Sequence, residues 1–363
     1  MDRKLWRHFD LLLLTVTVLL IIFGVLMIRS ATLESSVLQE TAGRQALFGL
    51  AGLALMLFVT AFDYRLLESL QKPAYVLTLA ILAVVVVLGS ERFGAQRALW
   101  QGSYQPSELA KVLMVLVLAK YFATHEGEMH RLRYVLGSLL IVAPAVALVY
   151  LQPDLDTVLV FLWIWLVMAL MAGMRLQHLA IFAGLGILAM PAAWLGMKDY
   201  MRERLVSFLL PSLEPTARYN VDQALVSVGS GGLLGKGYMQ GTQTHLRFLF
   251  VRHTDFIFSV IGEELGFVGA VVVVVLLAVV LARLLRVAFL TRDAFGRYIA
   301  VGMAAFIFFH AAVNIGMNLN LLPATGTPLP FITYGGSSLI TMLIAEGFAQ
   351  SVLLRHKMTE FAF

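Results

Sequence analysis

FDLLLLTVTVLLIIFGVLMI, residues 9–28, carries a single charge, Asp10, at its start. Twenty residues of helix span roughly 30 Å, the thickness of a bilayer's hydrocarbon core. A secretory leader would have a shorter apolar core and a small-residue cleavage site. This run has neither, so it reads as a retained first transmembrane helix.

The rest of the chain extends that reading. Of 363 residues, 60% are hydrophobic and 13% charged, with mean hydropathy +0.85; soluble domains carry about 25% charge. Further apolar runs lie at about 44–62, 73–89, 106–123, 134–151, 155–173, 178–196, 256–281, 298–320 and 329–353. Pro73, Pro106 and Pro153 suit first helical turns, whereas Pro144 and Pro191 fall within runs and predict kinks. With both termini inside, most of the 27 Lys and Arg residues fall on the inner side, and the short outer loops hold only Arg29, Arg44, Arg92 and Arg97. That asymmetry sets the orientation. It also accounts for a pI near 9.4 without nucleic acid. The expected fold is an all-α polytopic membrane protein, one domain over 1–363. It has about ten transmembrane helices, N-in and C-in, with one long extracytoplasmic loop, 197–255, between the seventh and eighth spans. With no cysteine there is no disulfide, thiolate nucleophile or Cys-ligated metal.

A loop this long is usually functional or disordered. This one mixes aromatic, Gly, Pro and charged residues, so it is expected to be partly helical and to build an active face. It ends in RHTDF, 252–256, where Asp255 is either a helix N-cap or a general base at the water–lipid boundary, with Arg252 and His253 beside it to hold an anion. Glu263 follows eight residues later, on the same face if both are helical. Glu263 and Glu264 in GEELG are deep carboxylates, which in a span mark function by default. The alternative is structural pairing or capping of a broken helix. In QPSELAK, 105–111, Glu108 and Lys111 are spaced to pair or to line a substrate path. Asp154 and Asp156 in QPDLDT can cap a helix or hold a hard cation. GSGGLLGKG, 229–237, fails the P-loop pattern, having Ser230 and Gly237 where Gly and Ser/Thr are needed. Its amides and Lys236 can still cradle a pyrophosphate. Pro323, Pro328 and Pro330 break the chain at membrane depth, which predicts a cavity. Zinc and serine-hydrolase motifs are absent.

QPSELAK, QPDLDT, the run from SVGSGGLLGKG through RHTDF to GEELGFVG, and PATGTPLPFITYGGSSL resemble, in order and over essentially the whole chain, the SEDS family of RodA, FtsW and a sporulation homologue. The short first outer loop and the chain length are most similar to its RodA branch. The resemblance implies a peptidoglycan glycosyltransferase of the bacterial inner membrane, polymerising lipid II on the outer face for elongation and rod shape. It implies a class B penicillin-binding protein (a transpeptidase) as partner, beside other elongation-complex membrane proteins. It places the key acid at Asp255 and substrate contacts at Arg97, Glu108, Lys111, Lys236, Arg252, His253, Glu263 and Glu264, and implies no cofactor other than a divalent cation, Mg or Mn. The chain departs from the family pattern at Ala98 (Trp), at Phe250 and Val251 (Pro and Glu), and at Asp156 (Gly). Two other readings stand beside it: a lipid II flippase or transporter, which needs polar groups along both leaflets, and a scaffold that only positions a transpeptidase.

Overall fold

In the computed structural model, which describes residues 5–35, 38–92, 95–98, 105–210, 215–246 and 248–356, every predicted span falls on a helix. The helices are α1 (Leu11–Thr32), α2 (Thr41–Ala61), the one-turn α3 (Leu66–Ser69), α4 (Gln71–Leu88), α5 (Pro106–Thr124), α6 (Leu132–Leu151), α7 (Leu155–Met171) and α8 (Leu176–Gly196). After the segment holding α9 (Asp199–Leu209), α10 (Pro215–Ser230) and the short α11 (Thr242–His245) come α12 (Ile257–Leu290), α13 (Ala294–Asn318) and α14 (Gly336–Arg355). Seven of them are long and apolar enough to cross a membrane; α7 and the apolar part of α8 are shorter, and α5 carries Glu108, Lys111 and Lys120. A small antiparallel ribbon, β1 (Ser90–Arg92) and β2 (Ala95–Ala98), is the departure from an all-helical chain.

Start signals act as their chemistry dictates. Asp10, Asp154 and Asp293 each accept a backbone N–H of the next turn, at 3.1, 3.3 and 2.8 Å, and so cap α1, α7 and α13. Pro106 opens α5. Neither α6 at Pro144 nor α8 at Pro191 is interrupted, so both prolines lie inside continuous helices. The break is instead at Gly266 of α12, whose φ of 66° and ψ of −162° leave the helical region.

Burial sorts the bundle. The spans of α13 and α14 are 72% and 78% buried, against 17% for α4. α14 packs along α2 and α13, while α13 also packs on α12, α5 and α7. Close approach rests on small residues: a side chain at Gly347 would meet the Met56 carbonyl. The apolar faces of α1, α2, α4, α8 and α12 remain exposed, as lipid-facing surfaces should be. The segment 197–255 does carry helices, as expected, and α10 lies on α12.

Candidate functional site

Asp255 sits in the turn 251–256 that leads into α12 and is half-buried. The helix begins at Ile257 with Phe256 in the cap position, so neither Thr254 nor Asp255 is the N-cap. The expected shared face of Asp255 and Glu263 fails for the same reason, since only Glu263 is helical.

What holds Asp255 is its main chain. Its carbonyl accepts from Asn314 Nδ2 at 3.1 Å and Asn318 Nδ2 at 3.0 Å. These two residues are one turn apart on the same face of α13. Asn314 also donates to Thr327 O at 2.8 Å, and Asn318 Oδ1 accepts from Ser259 N and Oγ at 3.1 and 2.6 Å. The residues before Asp255 are anchored as well. Arg252 Nε donates to Ala31 O at 2.6 Å, Tyr334 N to His253 O at 3.2 Å, and Thr333 Oγ1 to Thr254 O at 3.3 Å. The acid is thus fixed by α1, α13 and the 327–334 strap, which is the bend predicted from the prolines. The His253 imidazole stays below the usual histidine range because it is desolvated and, secondarily, because the Arg252 guanidinium is beside it.

Glu108 and Lys111 pair at 2.7 Å, both almost fully buried, and Lys111 Nζ lies 3.2 Å from His310 Nε2. Glu108 Oε2 has no hydrogen-bond partner among the described residues. The cluster lines a cavity of about 40 Å³ with Gln105, Asp154, Asp156, Thr157, Gly326, Thr327 and Pro328. Thr327 is also the residue to which Asn314 ties the Asp255 turn. Asp156 Oδ2 accepts from Gly326 N at 3.1 Å and Arg204 Nη1 at 3.3 Å. Among the described residues no three His, Cys, Asp or Glu side chains gather to hold an ion. Asp154 caps α7 and Asp156 is bound to Arg204 and Gly326 N, so both acids whose spacing suggested a cation have protein partners here.

Glu263 and Glu264 have internal partners. Glu263 accepts from Lys236 Nζ and Gln243 N, both at 2.8 Å, and from Thr244 Oγ1 at 3.0 Å. Glu264 accepts from Ser30 Oγ at 2.5 Å and Met239 N at 3.1 Å. The pairing alternative is the observed geometry. The two acids fasten the loop 236–244 and α1 to the upper turns of α12. The pyrophosphate cradle read from GSGGLLGKG is not formed, because the N–H groups of Gly235, Lys236 and Gly237 donate to the carbonyls of Gly231, Glu263 and Glu264. Arg97 is a side chain outside the described residues. Sequence reasoning missed His310, Asn314, Asn318 and Arg204. The 314/318 spacing of two amides within an apolar span was the available signal for the asparagines; Arg204 left none.

A family model described as a cell cycle protein, FtsW/RodA/SpoVE, matches residues 10–358. The chain is 33% identical over 356 residues to the peptidoglycan glycosyltransferase MrdB of Escherichia coli strain K12, covering 97% of this chain and 95% of that one. It is 30% identical to the peptidoglycan glycosyltransferase RodA of Treponema pallidum, over 96% and 98% of the two chains. Among solved structures, one described as showing structural coordination of polymerisation and crosslinking by a peptidoglycan synthase complex superposes with a TM-score of 0.82 at 32% identity, over 96% and 98% of the chains. The rod shape determining protein RodA of Thermus thermophilus superposes with a TM-score of 0.70 at 32% identity, over 97% and 98%. With its bundle, its anchored acid and its ordered motifs, the chain belongs to the FtsW/RodA/SpoVE (SEDS) family of multi-pass membrane proteins.

Proposed function

We propose that this protein is a peptidoglycan glycosyltransferase that polymerises lipid II into β-1,4-linked glycan on the outer face of the bacterial inner membrane. The observation that carries the reading is the half-buried Asp255, held by its main chain so that its carboxylate is positioned without forming a helix cap. The proposed topology of about ten spans with both termini inside, which the Lys and Arg bias supports, would have this acid at the outer boundary. The donor sugar is α-linked to a pyrophosphate and the product is β-linked. One inversion needs one in-line displacement, with a base and no covalent enzyme intermediate. Asp255 takes the proton of the acceptor 4-hydroxyl as the new C–O bond forms. The pyrophosphate leaves with its own charge, which cations such as Arg97, Lys111 and Arg252 offset. Both substrates are tethered to one membrane, so proximity supplies much of the rate. The work is shared with a class B penicillin-binding protein, whose transpeptidase crosslinks the new strand. The site straddles grease and water because the substrate does: a polar saccharide on an apolar tail.

The test is glycan polymerisation by the purified protein and lipid II, with and without the penicillin-binding partner and with and without a divalent cation. Asp255→Asn is expected to fold and to lose about 10²- to 10⁴-fold in rate, the usual worth of a general base. Equal polymer from both proteins would remove Asp255 as the base. Polymer from neither, partner included, would favour a flippase or a scaffold.

A further inference from the structure

At the end of the bundle opposite Asp255, where α1 begins and α12 and α14 end, a cavity of about 470 Å³ opens between the helices. Asp255 precedes α12, whereas Arg283 lies 17 residues past the break at Gly266, about 25 Å of rise toward the other end of the helix at Leu290, so the two sit at opposite ends of α12. The cavity is lined by Arg7, Arg283 and Arg286, with His8 and His356, and by one acid, Asp10. Asp10 is buried and already engaged, accepting from Arg283 Nε at 2.6 Å and from Leu13 N. Among the described residues neither Arg7 nor Arg286 has an acidic partner. Three guanidinium groups against one carboxylate leave a positive excess. The lip is apolar: Leu11, Leu12 and Leu290 line the same cavity and are 68%, 50% and 42% exposed.

Basic residues at inner helix ends ordinarily fix topology, and for that a charge anywhere in the loop suffices. Topology does not require a cavity of ligand size, nor cations gathered around it above an exposed leucine rim. We propose that this cavity binds the phosphate group of an anionic phospholipid. Arg7, Arg283 and Arg286 donate to the phosphate oxygens, and the acyl chains lie along the leucines. The site is separate from the glycosyl-transfer site and does not depend on the activity proposed above.

The experiment uses the full-length protein in nanodiscs of phosphatidylcholine, with or without a fraction of phosphatidylglycerol. Retained lipid is counted by native mass spectrometry on release from the disc. A third arm adds inorganic phosphate to discs of phosphatidylcholine alone, read by thermal unfolding. The wild type is expected to retain phosphatidylglycerol over phosphatidylcholine. The Arg7→Gln, Arg286→Gln double variant, which leaves the Arg283–Asp10 pair intact, is expected to lose that preference by roughly 30-fold, at two cations' worth of headgroup attraction. Arg286→Lys is expected to keep most of it. Equal retention of both lipids by the wild type, or an unchanged preference in the double variant, would overturn the site. Stabilisation by inorganic phosphate equal to that by phosphatidylglycerol would overturn the lipid assignment in favour of a soluble anion.

Discussion

Lys111 and Glu108 show how this chain tolerates ions in its interior. Each is almost fully buried, and Lys111 is held between Glu108, His310 and the ring of Phe306, 5.5 Å away. Removing one partner of such a pair strands the other charge, at about 3–5 kcal/mol. Lys111→Met is therefore expected to lower the thermal midpoint sharply. The double variant with Glu108→Gln is expected to recover most of the loss, since it removes the stranded charge. If the double variant is no more stable than Lys111→Met alone, the pair is not the cause. Asn318→Ala removes the amide from Asp255 O and takes the acceptor from the buried Ser259 hydroxyl, while the Ser259 N–H keeps Phe256 O at 3.1 Å. A stability cost of about 1–3 kcal/mol is expected from the unsatisfied hydroxyl. A fall in glycan polymerisation at a temperature where the variant is still folded would show that the clamp positions the acid.

Among the elements, α12 and the loop over it depend on glycine at defined points. Gly235 has φ of 79°, and a Cβ there would overlap the Glu264 carbonyl. Gly266, where α12 breaks, abuts Gly235 N in the same way. Gly235→Ala is expected to detach the loop 236–244 and to expose it to limited proteolysis, where wild type resists; equal digestion of both would show that this contact does not hold the loop. This interlock explains what could be read from residues alone and what could not. Apolar runs point to each of the long helices, because bilayer thickness and helix rise leave little freedom, but they stop nine residues short of the end of α12 at Leu290 and begin seven residues before α14 at Gly336. The motifs RHTDF and GEELG point to the right region, but a local spacing rule assumed one continuous helix through Asp255. Whether Glu263 meets substrate or a loop was set by residues 20 or more positions away, such as Lys236 and Gln243, and no periodicity encodes that. The amides of Asn314 and Asn318 lay within an apolar run that was counted only as a span.

At the scale of the whole molecule, the chain has no cysteine, so single cysteines report sidedness cleanly. Phe250→Cys, exposed near Asp255, is expected to react with a membrane-impermeant maleimide on intact spheroplasts. Thr124→Cys, at the far end of α5, is expected to react only after permeabilisation. The reverse pattern would invert the topology and move the acid to the wrong side for the proposed outer-face reaction. The expected orientation rests on a charge bias spread over many loops, which the sequence displays directly, whereas the cavity among Arg7, Arg283 and Arg286 needed three helix ends brought together.

The anchor of Asp255 has one more consequence. Asn314 and Asn318 are carboxamides, and a carboxamide neither gains nor loses a proton in the range where proteins work. An acid or a histidine in their place would have tied the position of Asp255 to its own ionisation. Here the grip on the backbone is indifferent to acidity. With Asp255 as the proposed base, the acid limb of the rate profile is expected to reflect the reacting groups and not this anchor.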